Sequence, residues 1–155
     1  SSDVCSSDLA RQQPVASDLR ALITALRMSA DLERMGDLAH HVAKLVRLRH
    51  PASAVPAELL ALVEVIGETA EKIATKTGVV ISTRDVLLAA QVEKDDDEMD
   101  LLHRQLISAL IAPSWEHGVE TAIDLTLLGR YYERYADHAV SVSRRVYFLV
   151  TGKFA

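Results

Sequence analysis

Between Pro14 and His50 apolar residues recur at helical spacing, with Leu19, Leu22, Ile23, Leu26 and Ala30 on the repeat and only Gly36 as a helix breaker. The pattern predicts one long helix that opens at Pro14 or Ser17 and ends at about Arg49, ahead of Pro51. Pro14 suits a first turn, Asp18 the positive end of the helix dipole, and Arg47, Arg49 and His50 its negative end. A second helix is expected from near Pro56, with Glu58 in its first turn, a stripe through Leu59, Leu62, Val63, Ile66, Ala70 and Ile73, and an end at Gly78. A third opens with Ser82 and Asp85, an acidic variant of a capping box, and runs to about Ile111 before Pro113. The fourth follows Ser114 and continues to Val150, where Gly152 can close it. Residues 77–83, rich in Val and Ile, are the one stretch that could pass for a strand, and they read as a helical boundary. The expected class is all-α, with four long helices in total.

Composition agrees with a loop-poor helical chain: 155 residues, 49% apolar, with 6 Gly and 4 Pro. A net charge of -5 without any block of Lys or Arg argues against nucleic acid and directs attention to cations or basic partners. No apolar run reaches the roughly 20 residues of a spanning helix, and Val146 to Val150 follow directly on Arg144 and Arg145. A soluble, cytoplasmic protein is expected. Its single cysteine, Cys5, excludes a disulfide framework and a thiolate metal site. Residues 3–9, Asp-Val-Cys-Ser-Ser-Asp-Leu, match the translation of a DNA adapter used in sequencing libraries, and the chain does not begin with Met. Residues 1–12 are therefore expected to be a non-native or disordered tail, with the native chain beginning further upstream.

An internal repeat carries the chemical information. At an offset of 100 positions, residues 33–39 (Glu-Arg-Met-Gly-Asp-Leu-Ala) match 133–139 (Glu-Arg-Tyr-Ala-Asp-His-Ala), and the likeness continues through Val42 with Val142, Lys44 with Arg144 and Val46 with Val146. Two helices of one kind are separated by two others, which a three-helix repeat unit explains. The first helix, residues 13–50, is then the last helix of an incomplete first unit, and residues 51–155 form a complete second one. Part of the first helix's stripe, Leu22 and Leu26 with their neighbours, should accordingly be exposed or covered by another chain.

Carboxylates four apart project from one helix face. Glu33 with Asp37, Glu133 with Asp137, and Asp96 with Asp100 are such pairs. The core stripe of the third helix passes through Val92, Met99, Leu102 and Leu106, and its extrapolation falls on Asp95 or Asp96, where a carboxylate needs a cation. In the fourth helix Thr126, Arg130, Glu133, Asp137, Ser141 and Arg144 form a polar strip. Antiparallel packing of the third and fourth helices with these strips facing brings Asp96, Asp100, Glu133 and Asp137 together, and the repulsion is relieved by a multivalent cation or by protonation. All-oxygen ligands suit Mg, Mn or ferric iron better than a structural zinc. The bland reading of the same acids is a solvated face, with Glu33 and Glu133 paired to Arg34, Arg130 or Arg134. His40, His41 and His138 flank the acidic segments, and Asp100 with His103 gives one Asp-x-x-His without a second copy. There is no Gly-rich phosphate loop, serine nucleophile elbow or Cys/His pair.

Three segments, residues 14–20, 31–37 and 132–138, together resemble the PhoU family of phosphate-uptake regulators, a likeness that covers about residues 13–152 and is strongest to actinobacterial members. The resemblance implies two similar three-helix bundles side by side, each carrying Glu/Asp-x-x-x-Asp motifs that bind metal clusters, with Fe, Mn, Mg or Zn as the divalent or trivalent ions. Asp96, Asp100, Glu133 and Asp137 match the second motif set, while Glu33 and Asp37 belong to the first, whose partner helices would precede Pro14. It also implies a non-enzymatic cytoplasmic adaptor, usually a dimer or other homo-oligomer and peripheral to the membrane through its partners. Such an adaptor is a negative regulator that restrains the high-affinity phosphate ABC transporter and couples it to the phosphate sensor histidine kinase, and so to transcription regulation and phosphate homeostasis. Two other classes fit the acidic pattern: a metal-free helical interaction module, and a di-metal carboxylate oxidase, which lacks the Glu-x-x-His that its chemistry needs on each of two helices.

Overall fold

The computed structural model describes residues 2–153, with side chains from residue 15 onward. Four helices, α1 (Ser2–Arg49), α2 (Leu60–Thr83), α3 (Val86–Leu110) and α4 (Gly118–Thr151), account for nearly all of it, with a single 3-10 turn at Ala57–Leu59 before α2. No strand occurs among the described residues, and no helix among them is long and apolar enough to cross a membrane. Residues 77–83 lie inside α2.

Three boundaries differ from the sequence expectation. Helix α1 runs on upstream of Pro14 to Ser2, so Asp18 is an interior residue and not a cap. Proline removes only one ladder hydrogen bond, and Arg11, Gln12 and Gln13 before it are good helix formers. The side chains of the expected tail lie outside the described residues. Helix α2 passes through Gly78 and ends at Arg84 in the left-handed conformation (φ 57°). Thr77 and Val80 on either side of Gly78 are fully buried, and burying a Val contributes more than the ~1 kcal/mol that an interior Gly costs. The cap of α3 is Asp85 alone, whose Oδ1 accepts from the backbone N–H of Leu87 and Leu88, while Ser82 Oγ donates back to the Val79 carbonyl. At the far end Gly152 closes α4 with φ 70°, as expected.

Helix α4 is the central element: α1, α2 and α3 all pack on it, and α2 also packs on α3. Glu93 meets Arg144 near one end and His103 approaches Gly129 near the other, so α3 and α4 run antiparallel. Helix α1 also runs antiparallel to α4, since Arg49 binds Asp124 while Asp31 binds Ser141 and Arg145. The core between α2, α3 and α4 is built from Ile66, Ile73, Val80, Val92, Met99, Leu106, Leu125 and Val142, all essentially sealed from water.

The inward stripe of α1 is not the one its leucines suggest. Thr24, Met28, Met35, Val42 and Leu45 face α4, whereas Leu22 and Leu26 are 59% and 64% exposed. That exposure is the one expected of a first helix whose apolar face exceeds its contacts.

At Gly129 α3 side chains pack directly against the α4 backbone. A Cβ there would lie 2.8 Å from Leu106 Cδ2 and 3.0 Å from His103 Cδ2, whereas one on Gly78 would meet nothing within 4 Å. Gly129→Val should therefore lower the unfolding free energy by about 2–3 kcal/mol through overpacking. Gly78→Ala should raise it by up to about 1 kcal/mol through helix propensity. Urea titration of both variants measures the contrast, and equal effects would contradict the packing described.

Candidate functional site

The acids of α3 separate by which neighbour each one faces. Asp95 sits in the core stripe between Val92 and Met99, only 3% exposed, and takes Lys72 Nζ at 3.0 Å and Lys76 Nζ at 2.6 Å from α2. Lys72 and Lys76 are one helical turn apart, so both reach the same carboxylate, and Lys72 also donates to Glu98 at 3.2 Å. Burial alone would raise the Asp95 carboxyl, but hydrogen bonds and charge from Lys76 and Lys72 hold it below the usual carboxylate range. The cation that this core carboxylate needs is thus supplied by lysine.

Asp96, one residue on, points to the α4 side. Burial pushes its pKa up to about 6, and the charges of Asp137, Asp100 and Asp97 push in the same direction, against Arg144. Asp96, Asp100 and Asp137 therefore share one electrostatic patch between α3 and α4. Glu133 does not join it. Its carboxylate is bonded to Arg130 on its own helix. Among the described residues no group of three or more His, Cys, Asp or Glu side chains is disposed to hold a metal ion. The donor set fits a cation only in part: Asp96 and Asp137 provide two facing carboxylates, with Asp100 beside them, and the four-acid convergence is not formed.

On α1, Glu33 and Asp37 are exposed, and Asp37 makes a long surface pair with Arg34 at 3.8 Å. The histidines are spread out: His40 is exposed, His41 stacks on Tyr131 with ring centres 5.3 Å apart, His103 packs at Gly129 and His138 bonds Asp31.

Two polar contacts between α1 and α4 were not anticipated. Asp31 accepts from His138 Nδ1, Ser141 Oγ and Arg145 Nε, each at 3.0 Å. Burial would raise the Asp31 carboxyl, but these three partners bring it below its ordinary value. Arg49 bonds Asp124 through Nε and Glu120 through Nη1, both at 2.5 Å, tying the end of α1 to the start of α4. The signal for Asp31 was its place in register with Met28 and Met35, the inward side of α1.

A sequence-family model described as the PhoU domain matches residues 2–46 and 63–146, most of the chain. The chain belongs to the PhoU family. Among the relatives of this PhoU-family chain is the "Phosphate-specific transport system accessory protein PhoU homolog 2" of Mycobacterium tuberculosis. It is 49% identical over 94% of this chain and 68% of its own length. "PhoU homolog 1" of Mycobacterium leprae is 51% identical over 94% of this chain and 66% of its own length. The chain thus spans about two thirds of these relatives. A crystal structure of "the phosphate transport system regulatory protein PhoU" from Streptococcus pneumoniae superposes with a TM-score of 0.75, covering 90% of this chain and 66% of that one at 22% identity. At that identity the likeness speaks for the helical fold alone.

Proposed function

We propose that this protein is a regulatory, non-catalytic accessory protein of phosphate uptake, restraining a phosphate ABC transporter and coupling it to a phosphate sensor histidine kinase. The observation that carries the reading is the 49% identity to the mycobacterial phosphate-transport accessory protein over nearly the whole chain. The reading places the protein in the cytoplasm, as a homo-oligomer held at the membrane by its partners. In it residues 13–50 are the last helix of a first repeat and residues 51–155 a second repeat. The offset of 100 between the Glu-Arg-x-x-Asp segments supports that division, and so do the two separate stretches matched by the family model. The test is uptake of labelled phosphate by phosphate-replete cells that lack their own family member. Expression of this protein should lower uptake, and unchanged uptake would sink the proposal.

The cation reading is narrower than the sequence expectation. A hydrated divalent ion such as Mg or Mn, which keeps several waters and needs only one or two carboxylates, suits Asp96 and Asp137. Bound there it would supply positive charge to an acidic patch and present its waters to a partner. Calorimetric titration of chelator-treated protein with Mn should show binding that Asp96→Asn with Asp137→Asn removes while helicity stays unchanged. Binding that survives in the double variant would assign the metal elsewhere. The metal-free interaction module also has an observation in its favour, since Asp95, Asp37 and Glu133 are all neutralised by Lys or Arg.

A further inference from the structure

Helices α1 and α2 both pack on α4 but are scarcely in contact with one another, and a groove runs between them. Cavities of about 300, 270 and 350 Å³ follow one another along it. The first and second share Ala39 and Tyr135, and the second and third share Leu32 and Ile81, so they form one trough. On α1 it extends from Ala25 to Val42, about 25 Å at 1.5 Å per residue, which is the length of a helix of roughly four to five turns.

The walls are low because both helices place small residues there, Gly36 and Ala39 on α1 and Gly67, Ala74 and Gly78 on α2. A Cβ on Gly36 or Gly78 would meet nothing within 4 Å. At the base lie the buried Met35, Ala70 and Thr77, with Tyr131, Tyr132 and Tyr135 of α4 partly buried beside them. Thr77 already uses its hydroxyl on the Ile73 carbonyl, which leaves the trough an apolar surface along most of its length.

Charge is placed unevenly along it. Glu71 is the charged residue lining the first cavity, the second has none, and Arg84 lines the far end. Glu64 and Glu68 continue the acidic row of α2 on the turns before Glu71, and these three acids have no ion-pair partner among the described residues. The cations of α2 between them and Arg84, Lys72 and Lys76, are turned to α3 and taken by Asp95 and Glu98. Lys44 and Arg47 of α1 lie beyond Val42, where the lining stops. Glu71 shares its cavity with three phenol rings, and ring faces and a carboxylate both attract a cation. We propose that this groove docks a basic amphipathic helix of a partner protein, with its apolar face along the trough and a Lys or Arg held at the Glu71 end. Apolar side chains at i, i+3, i+4 and i+7 fill such a groove, and the low walls let the helix backbone come close. A net charge of -5 favours a basic occupant over a second copy of this chain.

The experiment is fluorescence anisotropy with two labelled synthetic helical peptides of about 18 residues, both with Leu and Ala on one face, one with Lys and the other with Glu on the opposite face. It is run at about 0.15 M salt, where distant charges are screened. Peptide docking is measured without phosphate or transporter, so it and the uptake reading can fail separately. The Lys peptide should bind saturably and at least about tenfold more tightly than the Glu peptide. Gly36→Leu with Gly78→Leu fills the trough from both walls without a clash, favours the helices and keeps every charge. That variant should stay folded and bind the Lys peptide at least about tenfold more weakly. Glu71→Arg should weaken it by about fivefold or more, the scale of one surface ion pair. Unchanged binding in the double leucine variant would mean that the acidic surface attracts the peptide and the groove does not, which overturns the proposal. Equal binding of the Glu peptide also overturns it, as does absence of saturable binding in a protein shown by circular dichroism to be folded. So does a wild-type dimer in sedimentation equilibrium that the double leucine variant abolishes, since a second copy would then occupy the groove.

Discussion

Replacing both lysines that face Asp95, as Lys72→Met with Lys76→Met, should destabilise the protein by about 3–5 kcal/mol at pH 7, because the change strands a carboxylate that is 3% exposed. Asp95→Leu alone should cost much less. Lys72 is half in solvent and Lys76 can follow it there, so removing the acid leaves no charge trapped in the core. The pH dependence has a definite sign. In the wild type the Asp95 pKa is lowered, so its contribution is present above the ordinary carboxylate range and is lost as pH falls through the lowered value. In the double methionine variant burial acts unopposed, the carboxyl rises, and stability improves as pH falls and the acid takes up a proton. Urea unfolding at pH 7, pH 4.5 and pH 3 reads both limbs, the wild type losing stability from this group only below the ordinary carboxylate value of 3.8. A double variant with the wild type's stability at pH 7 would show that the lysines are ornamental.

Asp96 has the opposite sign and the next largest effect. Its folded pKa of about 6 stands above the ordinary 3.8, so in metal-free protein its contribution is favourable below the unfolded value and is lost as pH rises through 6. A shift of that size corresponds to roughly 2–3 kcal/mol, reduced by the partial solvent access of the patch. Asp96→Asn keeps the shape and removes the charge. In chelator-treated protein the variant should match the wild type near pH 4 and exceed it by about 1–2 kcal/mol at pH 7. The measurement is a pair of urea titrations at each pH. A variant that is less stable at pH 7 would mean that Asp96 is held by a favourable contact and not by repulsion. Together Asp95 and Asp96 make adjacent positions of one helix respond to pH in opposite directions, since successive side chains on a helix point about 100° apart and meet different helices.

Sequence by itself determined the helices and the family, and it located the acidic segments. Apolar spacing and the stops at Pro51, Pro113 and Gly152 mark four helices because these are local properties, set by side-chain periodicity and by the φ that proline and glycine permit. The repeat of Glu33 and Asp37 at Glu133 and Asp137 was equally visible. What tertiary structure decided is the partner each charge meets. The core stripe of α3 could be extended onto Asp95 or Asp96, and only the packing of α2 against α3, which delivers Lys72 and Lys76, makes Asp95 the buried ion-paired one and leaves Asp96 among acids. Glu133 carries the repeat motif, yet the nearest cation, Arg130, takes it away from Asp96. Helix α1 shows the same division: its leucines at 19, 22 and 26 predicted a helix correctly, but the face it turns to α4 runs through Thr24, Met28, Asp31 and Met35. Periodicity records that a helix has an apolar side. Which side is buried depends on long-range contacts, where the burial and pairing of a few charged groups outweigh the local pattern.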